Sequence, residues 1–89
     1  MKKQKLQAEV VKLERLQNST NGNPKYAVTL DNGRTYKTSA DVGWVYGVHW
    51  EAVEPEAYVD ITYHETKSGK LVLDNLQIPL VRTKAVQKV

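Results

Sequence analysis

The stretch that decides the fold is residues 26–38, which read YAVTLDNGRTYKT. Apolar and polar side chains alternate on both sides of the Asp-Asn-Gly turn, as in two half-buried strands joined by a hairpin. A two-residue turn would put Val28 and Tyr36 on opposite faces. A three-residue loop with Gly33 in the left-handed conformation pairs them and keeps the apolar residues together. We therefore predict this loop, with Tyr26 and Tyr36 both facing the core.

The same register predicts which side chains of the hairpin face solvent. They are Lys25, Ala27, Thr29, Thr35 and Lys37. The outer face of the hairpin is therefore expected to be basic and to lack aromatic side chains.

Two structures fit residues 5–16. One is a helix, because four apolar residues recur at helical spacing: Leu6, Val10, Leu13 and Leu16. The other is a strand whose alternation changes parity near Val10 and Val11, as a β-bulge would cause. We favour the strand, since a small barrel needs a long, bent first strand to contact both halves of its sheet.

A helix is predicted after the hairpin, over residues 40–52, with Ser39 as its N-cap. The prediction rests on residues at helical spacing, namely Val42, Val45, Tyr46, His49, Trp50 and Val53. Gly43 and Gly47 each cost about 1 kcal/mol relative to alanine in a helix. Their spacing of four residues places them on one face, where we expect another backbone to approach closely.

Two strands complete the chain. The fourth is predicted from the alternation of Val59, Ile61 and Tyr63, and a turn at Ser68-Gly69 leads to the fifth. In the fifth strand, Leu71 and Leu73 lie on one parity and Leu76 and Ile78 on the other, which predicts a second bulge near Asn75.

This order of elements is that of the five-stranded oligonucleotide/oligosaccharide-binding (OB) barrel, with a helix between strands three and four. We predict a mainly β, OB-like barrel over residues 1–79 as a single domain, with an SH3-like barrel as the alternative. Residues 80–89 are predicted to form a basic C-terminal tail that either frays in solution or docks on a partner.

Composition limits the class of protein. Eighty-nine residues make one domain, and the absence of cysteine excludes disulfides and thiolate metal sites. Cysteine-free chains are typical of reducing compartments. Neither a signal peptide nor a membrane-spanning stretch is evident, so we expect a cytoplasmic protein without a membrane partner.

Charge is distributed unevenly along the chain. Residues 1–17 carry five basic and two acidic side chains, and the last eleven residues carry three basic ones and no acid. Residues 40–66 contain six acidic side chains and neither lysine nor arginine. The pattern differs from the uniformly basic surface of a strong nucleic-acid binder.

Few residues point to catalysis, and we predict no enzyme, no metal and no cofactor. His49 lies on the apolar stripe of the predicted helix, as a core-edge histidine does. His64 lies on the solvent side of the fourth strand beside Asp60 and Glu65, without the spacing of a metal site. The three glutamates around Pro55 indicate a solvated acidic patch rather than paired catalytic carboxylates; they are Glu51, Glu54 and Glu56.

Residues 17–26, QNSTNGNPKY, followed by LDNG at 30–33 and TYKT at 35–38, resemble a set of short, mostly uncharacterised bacteriophage proteins, particularly from phages of actinobacteria. The similarity covers residues 8–78, and its most specific piece is Asn-Gly-Asn-Pro ahead of the hairpin. The basic tail and the pair Trp44 and Trp50 depart from it. The resemblance implies a phage protein acting in the host cytoplasm and supplies no catalytic residue.

Two binding hypotheses remain. The first is a protein partner from host or phage, or a homo-oligomer, because aromatic residues off the core parity lie beside acidic ones; the candidates are Trp44, Glu51, Glu54, Glu56 and Tyr58. The alternative is single-stranded nucleic acid, held by Lys25, Lys37, Lys2, Lys3 and Lys5. We favour the protein partner, since the basic hairpin face lacks stacking groups.

Overall fold

The computed structural model describes residues 2–79 and contains five strands: β1 (Gln4–Leu16), β2 (Lys25–Leu30), β3 (Thr35–Thr38), β4 (Tyr58–Glu65) and β5 (Leu71–Gln77). They close into a barrel in the order β1-β2-β3-β5-β4. β3 and β5 pair in parallel, and the other pairings are antiparallel. The predicted small OB-like barrel is confirmed, in the broad sense that includes SH3-like barrels. The predicted tail lies outside the described residues.

The first segment is a strand with a bulge, as predicted. Its first half pairs with β4 and its second half with β2, so one strand joins both sides of the barrel. The register shifts between Val10 and Lys12, which leaves Val11 as the extra residue. Val10 is 1% exposed and Val11 is 52% exposed, because the bulge moves the apolar parity by one position.

The β2–β3 hairpin adopts the predicted register. Val28 pairs with Tyr36, and the Leu30 N–H donates to the Arg34 carbonyl over 3.0 Å. Gly33 has a φ of 84°, the left-handed conformation that this loop requires. Tyr36 is fully buried, as expected, whereas Tyr26 is only half-buried.

The core lies inside the barrel. It is formed by Ala8, Val10, Val28, Leu30, Tyr36, Val53, Val59, Ile61, Leu73 and Leu76. The Tyr63 ring packs edge-on against Tyr36 at 4.8 Å between centroids. The predicted second bulge is also confirmed, because Tyr63 pairs with Leu73 and Thr62 with Asn75, which leaves Asp74 as the extra residue.

The predicted helix over residues 40–52 is wrong. Two short 3₁₀ helices, Gly43–Gly47 and Trp50–Ala52, form the connection from β3 to β4 instead. Val48 between them is extended, and Ser39 caps neither helix. Two glycines and a run of valine and aromatic residues are poor helix formers, so the apolar spacing alone did not produce an α-helix. The expected close approach at Gly43 and Gly47 is also wrong, since a Cβ there would meet no described atom within 4 Å.

Trp50 helps to attach the 3₁₀ connection to the barrel, together with buried Val45 and Val53. The Trp50 ring stacks on Tyr26 with 3.9 Å between centroids, and its Nε1–H donates to the Val45 carbonyl over 2.9 Å. Trp44 packs at a tilt, 6.2 Å from Trp50, and both rings rest against the core. Tyr26 is therefore half-buried because an aromatic ring, not the barrel interior, covers it.

Candidate functional site

Basic side chains from three elements surround a groove of about 520 Å³ on the outside of the barrel. Lys25 comes from β2, Lys37 from β3, and Lys70 from the turn between β4 and β5. Hydroxyl side chains add polar lining, and no carboxylate is among the described residues that line the groove. We call this feature the lysine groove.

Backbone geometry places the three lysines around the groove. Lys37 faces outward because its neighbours Tyr36 and Thr38 are buried. The Thr38 hydroxyl accepts the Tyr26 N–H over 3.0 Å, which ties β3 to the start of β2 beside Lys25. In the β4–β5 turn, the Thr66 N–H donates to the Lys70 carbonyl over 2.8 Å, and Gly69 has a φ of 89°. The three cations thus project from an ordered framework.

Asp41 connects the loop between β1 and β2 to the connection after β3. Its carboxylate accepts hydrogen bonds from Asn23 at 2.5 Å, Ser19 at 2.7 Å and Asn21 at 2.9 Å. The Tyr46 hydroxyl in turn donates to the Asn23 amide oxygen. Hydrogen bonds from Asn23, Ser19 and Asn21 lower the pKa of Asp41, and the charge of Lys25 adds to that effect. Asp41 therefore organises the loop that borders the lysine groove near Lys25.

We expect Asp41→Asn to destabilise the protein in a pH-dependent way. Because the folded-state pKa is below the ordinary value of 3.8, the carboxylate contributes fully above that value. The contribution declines as the pH falls below 3.8 and is lost once the pH passes the lowered folded value. Urea midpoints measured between about pH 6 and about pH 2.5 should show the difference between wild type and variant shrink towards acid.

Asparagine at position 41 removes the charge and preserves the backbone conformation. Asp41 has a φ of 60°, a left-handed conformation that asparagine also tolerates, so the substitution removes charge without adding backbone strain. Asp31→Asn, in the exposed β2–β3 turn, is the matched control. An equal midpoint difference at all pH values would contradict the assigned role.

One histidine departs from its predicted place and the other does not. His49 was expected at the edge of the core, but its side chain is 83% exposed, beside Glu51. His64 was expected on the solvent side of β4 beside Asp60 and Glu65. It does lie on the outer face of β4, but it is half-buried and its acidic partner is Asp74, whose carboxylate lies 2.8 Å from Nδ1. Within residues 2–79 there is no group of three or more His, Asp or Glu side chains placed to hold a metal ion.

The residues predicted for protein binding do not share one environment. Trp44 is half-buried and packs against the core. Tyr58 is also half-buried, whereas the three glutamates are exposed: Glu51, Glu54 and Glu56. The aromatic side chain that projects into solvent is Tyr46, at 65% exposure, which the helical interpretation had placed on the buried stripe.

Of the lysines predicted for nucleic-acid binding, Lys25 and Lys37 line the groove. Lys2 and Lys3 precede β1 and are exposed, while Lys5 borders another hollow beside β4 and β5. Lys70 was missed, although the Ser68-Gly69 turn that presents it was predicted.

Ala27, predicted to face solvent, is 4% exposed, because it lies in register between the long side chains of Glu14 and Lys37.

Fold and site together define a small closed β-barrel with a cationic groove on its outer face. No family model, curated protein or solved structure matches the chain. None of the helices in residues 2–79 has the length and apolar character needed to cross a membrane.

Proposed function

We propose that this chain is a non-catalytic binding module that holds single-stranded nucleic acid through phosphate contacts in the lysine groove. The observation that carries the proposal is the convergence of Lys25, Lys37 and Lys70 on one groove whose described lining has no carboxylate. The pairing of β3 with β2 and with β5 brings these three positions together, but the fold does not require all of them to be basic. Repulsion between the lysines is offset when an anion binds.

The lining of the groove favours contacts to the backbone of the nucleic acid over contacts to bases. None of the described lining residues is aromatic, so the groove has no platform on which a base would stack. The Tyr26 ring is already stacked on Trp50. Binding should therefore be weak, tolerant of sequence and governed by charge.

A salt titration tests the proposal. Each phosphate neutralised on a single strand contributes about −0.7 to the slope of log affinity against log salt concentration. Three lysine contacts should give a slope of about −2, measured by fluorescence anisotropy with a labelled oligothymidylate. A slope near zero, or no binding at low salt, would overturn the proposal.

A protein partner is the second candidate. It is favoured by the exposed Tyr46 and by the exposed glutamates of the same connection, Glu51, Glu54 and Glu56. Aromatic side chains are enriched at protein interfaces. Trp44 is half-buried and packs against the core, so Tyr46 replaces it as the aromatic residue of the candidate protein-binding surface. Failure of the salt titration would leave this candidate, or self-association, as the better explanation.

The cellular setting is part of the proposal. The resemblance of residues 8–78 to bacteriophage proteins implies expression in an infected host cell. A module that holds single strands through phosphates would act in the host cytoplasm, where such strands arise during replication and transcription.

A further inference from the structure

His64 and Asp74 lie next to the lysine groove, on the same outer face of the barrel. Lys37 of β3 pairs with Val72 of β5, and Val72 pairs in turn with His64 of β4. Directly paired residues of neighbouring strands have their side chains on the same face. Val72 itself lines the groove. His64 is thus two strand spacings, about 10 Å, from Lys37 along one row.

Asp74 fixes the imidazole ring of His64. The Nδ1···Oδ2 distance is 2.8 Å, and the two side chains are only 21% and 16% exposed. An ionised carboxylate only accepts hydrogen bonds, so Nδ1–H donates to Asp74 and Nε2 is the nitrogen left for another partner. Asp74 is the extra residue of the β5 bulge, and bulges commonly redirect a side chain in this way.

Nε2 of His64 is open to solvent. Among residues 2–79, no buried side-chain nitrogen or oxygen lacks a hydrogen-bond partner. The hydrogen bond of His64 within this part of the chain is made by Nδ1. Nε2 has no such partner there, so it must be accessible to solvent, on the face that carries Lys37.

We propose that His64 is a further phosphate-contacting residue of the lysine groove and that Asp74 is its positioning residue. The inference rests on the proposed function. A protonated imidazole donates from both ring nitrogens, so Nδ1–H binds Asp74 while Nε2–H donates to a phosphate oxygen. The bound strand would then cross from β3 over Val72 to β4.

Asp74→Asn distinguishes this role from a merely structural ion pair by the sign of its effect. If Asp74 were only a carboxylate near a cationic groove, its removal would tighten oligonucleotide binding. If it positions His64, its removal should weaken binding about two- to fivefold despite the lost negative charge. His64→Gln should weaken binding by a similar factor. In the His64→Gln background, Asp74→Asn should then tighten binding, because no imidazole remains to be positioned.

The measurement uses labelled oligothymidylate at fixed pH and salt, with thermal unfolding of each variant as a check on folding. Asp60→Asn is the matched control, since Asp60 lies on the outer face of β4 and accepts a hydrogen bond from Gln7 away from the groove. Tighter binding by Asp74→Asn in the wild-type background, or unchanged affinity of His64→Gln, would overturn the inference alone. Absence of binding by the wild-type protein would overturn the proposed function with it.

Discussion

Replacement of Lys25, Lys37 and Lys70 together by glutamate should weaken oligonucleotide binding about a hundredfold. The three lysines line one groove, and reversal of their charge turns attraction to phosphate into repulsion. A contact between exposed charges is worth up to about 1 kcal/mol, so three lost contacts amount to about 3 kcal/mol, or two decades of affinity. Anisotropy titrations at low salt with the same oligothymidylate would measure the loss.

The control for that experiment keeps the total charge change and moves it elsewhere. Lys5, Lys12 and Arg34 are exposed, and none of them lines the lysine groove. Their joint replacement by glutamate alters the net charge equally, so it reports long-range attraction alone. Equal weakening by both triple variants would show that overall charge, not the groove, governs binding.

Single replacements separate the contributions of the groove. Each lysine-to-glutamine change should reduce the salt slope by about 0.7, because one fewer counterion is released. Lys25 should matter least, since Asp41 lies close enough for the two charges to interact.

The hairpin and both bulges were predictable because they leave local marks in the sequence. A change of apolar parity, as at Val10 and Val11, has a direct structural cause in one extra residue. The register of β2 and β3 follows from the need to keep Val28 and Tyr36 on one face. These predictions depend on neighbours within a few residues, so the sequence alone carries them.

The groove and the 3₁₀ connection depend on longer-range geometry. Lys70 meets Lys37 only because β5 pairs in parallel with β3 to close the barrel, a contact that no local pattern encodes. Likewise, Asp41 accepts hydrogen bonds from side chains of the β1–β2 loop, about twenty positions earlier in the sequence. The spacing of apolar residues over 42–53 fits an α-helix. It fits equally well two short 3₁₀ helices that bury Val45 and Val53 in the core, so the spacing could not distinguish these structures.

The attachment of that connection leads to the largest stability effect that we expect. Trp50→Ala should reduce the free energy of unfolding by about 3 kcal/mol. This is the lower end of the range for replacing a buried tryptophan with alanine, because Trp50 is only half-buried. The variant loses the stack on Tyr26 and the hydrogen bond to the Val45 carbonyl. The total free energy of unfolding of a domain of this size is about 4–13 kcal/mol, so the variant should lose a large fraction of its stability. Urea unfolding, with a slope of about 1 kcal/mol per molar, should show a midpoint shift of about 3 M.

Three further variants identify the source of that loss. Trp50→Phe retains an aromatic ring but no N–H, so it should lose about 1 kcal/mol from the hydrogen bond. Tyr46→Ala, at an exposed position of the same connection, should cost no more than about 1 kcal/mol, from the hydrogen bond of its hydroxyl to Asn23. A double-mutant cycle of Trp50→Ala with Tyr26→Ala should give a coupling of about 1 kcal/mol for the stacked rings. If Trp50→Ala were as mild as Tyr46→Ala, burial of Val45 and Val53 would suffice to attach the 3₁₀ connection, and the half-burial of Tyr26 would need another cause.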